Sequence, residues 1–501
     1  MEIVTNNDGI DNNGYDGDDN NNNHQVVVTR SLWNDRNEAL YMRFLNKSKV
    51  MYKEYQKDGI KWCVHLETHN DSSLPIHGGF IADEMGLGKT IMMIATMVVN
   101  FLPHTLIILP NILMDQWYEE IFKTTNHCAL IFHGKNKKTI TVEQLRSVPI
   151  VITTYSTLSK DCPLFQVNWD RLVFDEAHHL RNVSTRNIRA KLLKTKICWL
   201  ISGTPIQNKK KDFYNLCSVL KMPASYYTDS NNLQHLVKNF VMKRTKKNVG
   251  IEIPDIIFEN KNVSWESKEE RKLSSDIHYA CKLADKSYRL PLFLQARQCC
   301  ILPSLLIGKI ENMITKKVLP PVSAVTLNKS SSKLNAVIST IIERKDNGNG
   351  KIIFCHFKGE IDTIYTRLRE NGIKKICIFD GRSSQVTRSK NIRLAYEVII
   401  LQIQTGCEGL NLQKHFSEIY FVSPNWNPFI EKQAIARCHR IGQKKNVSVF
   451  TYHMNNFIAC DPVTTDEIIT SSLDHYISHV QSSKIEIVDK ILSSSSSSSS
   501  S

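Results

Sequence analysis

The residues best suited to chemistry form one short stretch, 83–90, which reads DEMGLGKT. Gly86 and Gly88 allow backbone N–H groups to close around phosphate oxygens, Lys89 adds a positive charge, and Thr90 offers a hydroxyl to Mg²⁺. The strict Gly-x4-Gly-Lys-Thr pattern is not met, because Asp83 stands in place of its first glycine, so a chance turn is the alternative. The residues expected to contact a nucleotide are the complete stretch: Asp83, Glu84, Met85, Gly86, Leu87, Gly88, Lys89 and Thr90.

A second stretch supplies adjacent carboxylates at the end of a short apolar run. Asp175 and Glu176 follow the run RLVF at Arg171–Phe174. Asp175 is expected to hold Mg²⁺, directly or through water, and Glu176 to orient and deprotonate an attacking water. The first motif would bind the phosphates, and the second would hold Mg²⁺ and activate water. Together they predict a nucleoside triphosphatase.

The elements that must position these residues are short β-rich runs separated by helical patterns. Such alternation predicts parallel sheets covered by helices on both faces. In the first half the runs are Thr105–Pro110, Ile150–Tyr155, Arg171–Phe174 and Cys198–Ser202. In the second half they are Lys351–Cys355, Ile376–Phe379, Val398–Ile403, Glu418–Val422 and Val447–Tyr452.

The spacing of these runs predicts two α/β lobes, over 45–245 and 331–480, joined by a mostly helical insert over 246–330. Residues 1–25 are rich in Asn and Asp and predict a disordered acidic tail. The serine run at 493–501 predicts a second flexible tail.

The net charge and the spacing of the cysteines indicate which kinds of partner and metal the protein would bind. The 501-residue chain carries a net charge of +15, which favours a polyanionic partner, with nucleic acid first and an acidic membrane surface second. The 13 cysteines include no Cys-x2-Cys pair, so no zinc site is expected, and they suit reduced intracellular thiols. No membrane span is expected either, because the longest apolar stretch, 91–102, is too short.

The motifs in their order resemble the Swi/Snf family of superfamily-2 DNA-translocating ATPases over about residues 45–455. The length, without added modules, is similar to the global transactivator proteins of baculoviruses. The residues that carry the resemblance are Gln56, 83–90, Trp117, 153–158 (TTYSTL), 175–182 (DEAHHLRN), 202–208 (SGTPIQN), 406–412 (GCEGLNL), Trp426 and 433–443 (QAIARCHRIGQ).

The resemblance implies two RecA-like lobes that close over ATP and Mg²⁺. It assigns adenine recognition to Gln56, nucleotide contact to Gly409, and arginine fingers to Arg437 and Arg440. Two arginines three residues apart would share one face of a helix, and planar guanidinium groups suit phosphoryl oxygens. Because the fingers come from the second lobe, hydrolysis would require lobe closure.

For several of these residues a structural explanation is an alternative to the functional one. Gln56 could be a surface amide, and Arg437 and Arg440 ordinary surface charges. His178 and His179 would point apart on one strand, which favours interlobe contact over metal binding. Trp426 is more typical of packing than of base stacking. The basic clusters 135–138 and 243–247 could contact phosphate, direct nuclear import or simply be solvated.

One stretch departs from the family. Residues 404–409 read QTGCEG, where family members usually have Ala-Gly-Gly-x-Gly preceded by a basic residue. A lost cation and an added carboxylate, Glu408, weaken contact with DNA phosphates. We therefore expect weaker DNA affinity, or weaker coupling of DNA to hydrolysis, than is usual for the family.

These observations lead to one main hypothesis and two alternatives. The main one is a DNA-stimulated ATPase that tracks along double-stranded DNA or nucleoprotein in a nucleus (a host nucleus if the chain is viral), with protein partners undetermined. The first alternative is a DNA- or protein-binding transcriptional regulator that uses the ATPase fold as a scaffold. The second, a strand-separating helicase, fits the motif spellings less well.

Overall fold

The computed structural model describes residues 33–69, 77–207, 209–316, 331–382, 396–403, 410–460 and 467–492. The two predicted tails, 1–25 and 493–501, lie outside these ranges, as does the whole unusual stretch 404–409 with Gly409. Two large parallel sheets dominate the described chain, so the predicted pair of α/β lobes is confirmed. None of the described helices is long and apolar enough to cross a membrane.

The first sheet has seven parallel strands in the order β3-β4-β2-β5-β6-β1-β7. It contains all four runs predicted from the first half, together with three strands that the sequence did not reveal: β1, β3 and β7. Their bounds are β1 His77–Ile81, β2 Thr105–Leu109, β3 Leu130–Ile131, β4 Ile150–Thr154, β5 Asn168–Asp175, β6 Lys194–Ile201 and β7 Val241–Met242.

Helices cover both faces of this sheet. Each face buries its own apolar cluster, one around Phe174 and Phe213 and the other around Trp117 and Trp199. The α-helices are α1 Asp35–Ser48, α2 Glu54–Thr68, α3 Lys89–Val99, α4 Met114–Thr125, α5 Val142–Arg146, α6 Tyr155–Leu158, α7 Thr185–Ala190, α8 Lys210–Val219, α9 Ala224–Thr228 and α10 Ser230–Phe240.

The second sheet has six parallel strands in the order β10-β11-β9-β12-β13-β8. It includes the five runs predicted from the second half. The strands are β8 Ile256–Val263, β9 Gly350–Cys355, β10 Ile376–Phe379, β11 Val398–Gln402, β12 Phe416–Phe421 and β13 Val447–Met454. A separate antiparallel pair is formed by β14 Phe457–Cys460 and β15 Glu467–Thr470.

Strand β8 lies within the segment 246–330, which the sequence predicted as mostly helical and which also contains three described α-helices. Ile256–Val263 pairs in parallel with β13 along its whole length and so belongs to the second sheet. It is an edge strand in which three apolar residues, 256–258, are followed by four polar ones, 259–262, and Ile257 and Phe258 are exposed. An edge strand is buried on fewer sides than a central strand, so it lacks the continuous apolar run that revealed the other strands.

Helices make up the remainder of the second half. They are α11 Lys268–Leu283, α12 Lys286–Ile301, α13 Ile310–Thr315, α14 Ser332–Glu343, α15 Lys358–Glu370, α16 Pro428–Ile435 and α17 Leu473–Leu492. The last helix contacts both halves of the molecule. Leu473 and Ile477 pack with the insert helices, whereas Val488 and Ile491 join the core of the first lobe. Helix α17 therefore contributes to holding the lobes in one arrangement.

Candidate active site

The phosphate-binding loop joins β1 to α3 and begins the site. Gly86 and Gly88 have φ values of +94° and +81°, in the left-handed region that favours glycine. Gly88 is the N-cap of α3, and Lys89 and Thr90 form the first turn of that helix. The loop therefore directs helix N-terminal N–H groups toward one point, as phosphate binding requires.

The side chain of Lys89 folds back over this loop. Its Nζ donates to the carbonyl oxygen of Asp83 at 2.8 Å, and Gly203 approaches so closely that an added Cβ would lie 3.6 Å from Nζ. Burial lowers the pKa of Lys89, and the nearby carboxylates, with Glu176 foremost, oppose that shift. The ammonium group is thus held beside the acidic residues of the site.

Two residues of the loop do not offer their side chains to a nucleotide. The buried carboxylate of Asp83 is bound by Arg244, whose Nη2 lies 2.5 Å from Oδ2. Glu84 pairs with Lys246 at 2.8 Å. The carboxylates of both residues are already in ion pairs. For Asp83 and Glu84 the predicted nucleotide contact therefore applies to the backbone alone.

Asp175 ends strand β5 next to the loop. Its Oδ2 accepts a 2.7 Å hydrogen bond from Nε1 of Trp117, and its Oδ1 accepts one of 2.9 Å from the backbone N–H of Glu176. Burial, followed by the neighbouring charge of Glu176, raises the pKa of Asp175. A buried carboxylate whose pKa is raised in this way is stabilised in its ionised form when a cation binds to it.

Glu176 adopts a left-handed backbone conformation with φ of +50°, which turns its side chain away from the line of β5. Its Oε2 lies 3.2 Å from Nδ1 of His178. Burial would raise the pKa of Glu176, but His178, Lys89 and Arg437 together outweigh it and lower that pKa. The structure therefore keeps Glu176 ionised, as the base assigned to it must be.

The histidine pair differs from the expectation of two side chains pointing apart on a strand. His178 and His179 lie in a 3-10 turn, Ala177–Leu180, and their rings stack with centroids 4.7 Å apart. The left-handed residue Glu176 ends the strand before them, so the period-two alternation no longer applies. Nδ1 of His178 also lies 3.4 Å from Oγ of Ser202, which connects the carboxylate motif to the SGT motif.

Gln56 is buried against the phosphate loop and is not a surface amide. Its Nε2 donates to the carbonyl oxygen of Leu87 at 3.1 Å, and an added Cβ on Gly88 would come within 2.4 Å of it. Tyr55 donates to the same carbonyl at 3.2 Å. The adenine contact assigned to Gln56 by the resemblance stays a prediction.

The second lobe places its arginines opposite this loop. Cβ of Arg440 is 3.7 Å from the position that a Cβ on Gly86 would occupy, and the charge of Arg437 acts on both Lys89 and Glu176. The buried Nε of Arg437 has no hydrogen-bond partner within the described chain.

The expectation that these arginines share a helix face is wrong. Helix α16 ends at Ile435, and residues 436–440 form successive turns. The amide N–H of Leu412 binds the carbonyl of Arg437 at 3.0 Å, and Nε2 of Gln443 binds the carbonyl of Cys438 at 3.2 Å. The N–H groups of Arg437 and Cys438 bond to carbonyls three residues back, at 3.2 and 3.0 Å, so the regular α-helix ends here in a tighter turn.

A direct hydrogen bond also joins the lobes beside the site. Nδ2 of Asn427, in the second lobe, donates to Oε1 of Gln207, in the first, at 2.9 Å, and both side chains are buried. The sequence identified the motifs that contain these residues but gave no sign that they touch. Arg244 and Lys246 were likewise recognised only as members of a basic cluster.

The arrangement fits ATP and Mg²⁺. The glycine-rich backbone, Lys89 and the buried Nε of Arg437, which has no partner among the described residues, would bind phosphate oxygens. Thr90 and Asp175 would hold Mg²⁺. The metal would neutralise phosphate charge during transfer. Glu176 would hold the attacking water and take its proton, while the two lobes exclude bulk water.

Two protein-family models match the chain. The SNF2-related domain model matches residues 55–305, and the helicase conserved C-terminal domain model matches residues 332–442. A Mycoplasma pneumoniae protein described as an uncharacterized ATP-dependent helicase is 27% identical, over 93% of this chain and 45% of that protein. The chain thus spans less than half the length of this relative.

A protein of similar size is also related. The probable global transactivator of Orgyia pseudotsugata multicapsid polyhedrosis virus is 28% identical, over 87% of this chain and 91% of that protein. Among solved structures, the Sulfolobus solfataricus SWI2/SNF2 ATPase core in complex with double-stranded DNA has 23% identity and a TM-score of 0.39, covering 89% of this chain and 94% of that chain. With its two matched domains in this order, the chain belongs to the SNF2-related family.

Proposed function

We propose that the chain is an ATP-dependent translocase on double-stranded DNA that hydrolyses ATP between its lobes. The observation that carries the proposal is the composition of the cleft. The first lobe contributes Lys89 and Glu176, and the second contributes Arg437 and Arg440, with Cβ of Arg440 3.7 Å from the position of a Cβ on Gly86. An arginine supplied in this way accelerates related phosphoryl transfers by about 10³–10⁵.

The DNA partner is supported by charge and by relationship. A net charge of +15 favours a polyanion, and the mycoplasma relative is described as an ATP-dependent helicase. We infer that the protein grips the DNA backbone and tracks without separating strands. Such tracking would remodel nucleoprotein and influence transcription or replication, with a nucleus as the site of action.

The first test is ATP hydrolysis with and without duplex DNA at low and moderate salt. Glu176→Gln removes the proposed base and should abolish hydrolysis, while Glu119→Gln, an exposed change of the same kind, should not. Strong stimulation by duplex in the parent, lost only in Glu176→Gln, supports the proposal. Hydrolysis that ignores DNA would contradict the DNA track.

A scaffold function gives a different result. A transcriptional effect that survives Glu176→Gln unchanged, in a parent chain without hydrolysis, would favour the scaffold. Strand displacement from a partial duplex would instead identify a helicase in the unwinding sense. Displacement of a triplex-forming strand without separation of the duplex is the result expected for a translocase.

A further inference from the structure

The segment Arg244–Lys246 follows strand β7 and lies against the acidic start of the phosphate loop. The backbone N–H of Arg244 donates to Oδ1 of Asp83 at 3.0 Å, and its carbonyl accepts from the N–H of Glu84 at 2.9 Å. The guanidinium adds the ion pair to Asp83. Both the backbone and the side chain of Arg244 therefore fix this segment to the loop.

Lys246 extends this attachment to the other lobe. Its backbone N–H donates to Oε2 of Glu84 at 2.8 Å, and its Nζ lies 2.8 Å from Oε1. The same Nζ donates to the carbonyl oxygen of His439 at 3.2 Å. His439 lies between Arg437 and Arg440, so one ammonium group joins the phosphate loop to the arginine segment.

Burial distinguishes Lys246 from its basic neighbours. It is 5% exposed, whereas Lys243 and Lys247 are exposed to solvent. A buried ammonium costs several kcal/mol unless it is paired, and here its partners come from both lobes. This geometry excludes Lys246 from the solvated or DNA-contacting interpretations that the sequence left open for 243–247.

The contact is also close to the proposed phosphate position. A Cβ on Gly86 would lie 3.5 Å from Cε of Lys246 and 3.7 Å from Cβ of Arg440. Nε2 of His439 lies 2.7 Å from the carbonyl oxygen of Pro254, a second contact between the arginine segment and the chain that follows Lys246. The loop, the lysine and the arginine segment thus meet at one point.

We propose that Lys246 is a positioning residue that aligns the arginine segment with the phosphate loop, through Glu84 on one side and the carbonyl of His439 on the other. The inference rests on the proposed function, since it assigns the arginines to ATP hydrolysis. Lys246 does not touch the reacting atoms. It fixes where Arg437 and Arg440 stand when the lobes are closed.

The kinetic test compares Lys246→Met with Lys247→Met, an adjacent change that removes the same charge from an exposed position. We expect Lys246→Met to lower kcat by about 10-fold or more with KM for ATP changed by less than about 3-fold, because it removes alignment and leaves nucleotide contacts intact. Lys247→Met should leave both constants of basal hydrolysis unchanged. Lys246→Arg, which can still reach both partners, should restore most of kcat.

A double-mutant cycle distinguishes positioning from general destabilisation. If Lys246 acts through the arginines, Lys246→Met should have almost no further effect on kcat in a background that carries both Arg437→Ala and Arg440→Ala. Independent, multiplying losses in the combined variant would overturn the proposal. Unchanged kcat in Lys246→Met would overturn it as well.

Hydrogen exchange tests the contact without reference to hydrolysis. Amides of residues 437–443 should exchange about 10-fold faster in Lys246→Met than in the parent, while amides of the β-sheet cores stay protected. Unchanged exchange at 437–443 would overturn the positioning role, even in a parent chain that hydrolyses ATP. Faster exchange there in a chain without hydrolysis would support the contact and contradict the proposed function alone.

Discussion

Nε1 of Trp117 donates a 2.7 Å hydrogen bond to Oδ2 of Asp175, and the indole is 1% exposed. Helix α4 thereby holds the carboxylate that we assign to Mg²⁺. The other oxygen is held by the backbone N–H of Glu176. The orientation of the proposed metal ligand thus depends on a residue 58 positions earlier in the chain.

Trp117→Phe should weaken Mg²⁺ binding, because Asp175 loses the hydrogen bond that orients its carboxylate. The change keeps most of the apolar packing but removes the donor, and a hydrogen bond to a charged group contributes about 1.5–3 kcal/mol. We expect the Mg²⁺ concentration for half-maximal hydrolysis to rise by about 10-fold. Trp169→Phe, which loses a neutral hydrogen bond to the carbonyl of Leu164, is the control and should leave the Mg²⁺ titration unchanged.

The stability of the first lobe should depend on Glu67, which the sequence did not single out. Glu67 and Arg171 form a fully buried bidentate pair, with 2.6 Å from Nε to Oε1. Glu67→Leu leaves the buried guanidinium without a counter-charge, which costs about 3–5 kcal/mol. It also removes the acceptor of the side-chain N–H groups of Asn100 and Trp199. Urea unfolding followed by tryptophan fluorescence measures the loss.

Two comparisons test the cause of that loss. The double variant Glu67→Leu with Arg171→Met removes both charges and should recover much of the stability. Glu38→Gln, at a partly exposed pair with Lys57, should change the free energy of unfolding by less than about 1 kcal/mol. A double variant as unstable as the single one would show that the unpaired charge is not the cause.

The second half should lose stability in mild acid because of His278. Its Nδ1 lies 2.6 Å from the carbonyl of Ser274, and its Nε2 accepts from the N–H of Leu473 at 2.9 Å, so the ring is neutral. Burial lowers the pKa of His278 to about 4, against the ordinary 6.5. The contribution is therefore complete above pH 6.5 and lost progressively down to pH 4, which amounts to about 2 kcal/mol between pH 7 and pH 5.

His278→Gln should flatten this pH dependence, because Gln can accept from the N–H of Leu473 but does not titrate. Denaturant unfolding at pH 5 and pH 7 gives the comparison. His127→Gln, at an exposed position, should retain the dependence of the parent. An equal pH dependence in the parent and in His278→Gln would show that other groups are responsible.

Lobe docking should weaken in Asn427→Asp. Oδ1 of Asn427 caps helix α16 by accepting from the N–H of Phe429, and aspartate preserves that cap. The change removes the Nδ2 donor and places a carboxylate against Oε1 of Gln207. Oε1 of Gln207 keeps its hydrogen bond from Arg181, so the expected fall in kcat of about 10-fold comes from two acceptors that face each other in a buried contact, at a cost of about 1–3 kcal/mol.

The matched control is Asn34→Asp, which preserves an equivalent N-cap at α1 far from the cleft. It should leave hydrolysis unchanged. Hydrogen exchange at residues 427–429 provides a second measurement, and faster exchange is expected only in Asn427→Asp. Equal kcat in both variants would mean that the bond to Gln207 does not contribute to closure.

Features that depend on local residue pattern or on fixed motif spacing could be predicted from the sequence. Nine strands were visible as apolar runs, because buried parallel strands need apolar side chains on both faces. Residues 83–90 and the pair Asp175 and Glu176 predicted a nucleotide site, because phosphate and Mg²⁺ binding restrict residue types at fixed spacing.

Some structure was hidden because it depends on distant partners. Strand β8 is an edge strand and lacks an apolar run. The turns at 436–440 end a helix that local sequence would continue: the backbone changes there to i→i−3 hydrogen bonds, and the carbonyl of Arg437 accepts from the distant Leu412.

By itself, the sequence determined the two-lobe α/β class, the phosphate-binding loop, the carboxylate pair and the two arginines of the second lobe. The tertiary structure alone decided which carboxylates are already paired, with Asp83 bound by Arg244 and Glu84 by Lys246. It also decided that Lys246 is buried between the lobes while Lys247 is solvated. The reason is physical: ion pairing and burial depend on which groups meet in space, and residues far apart in the chain meet only when the sheets have formed.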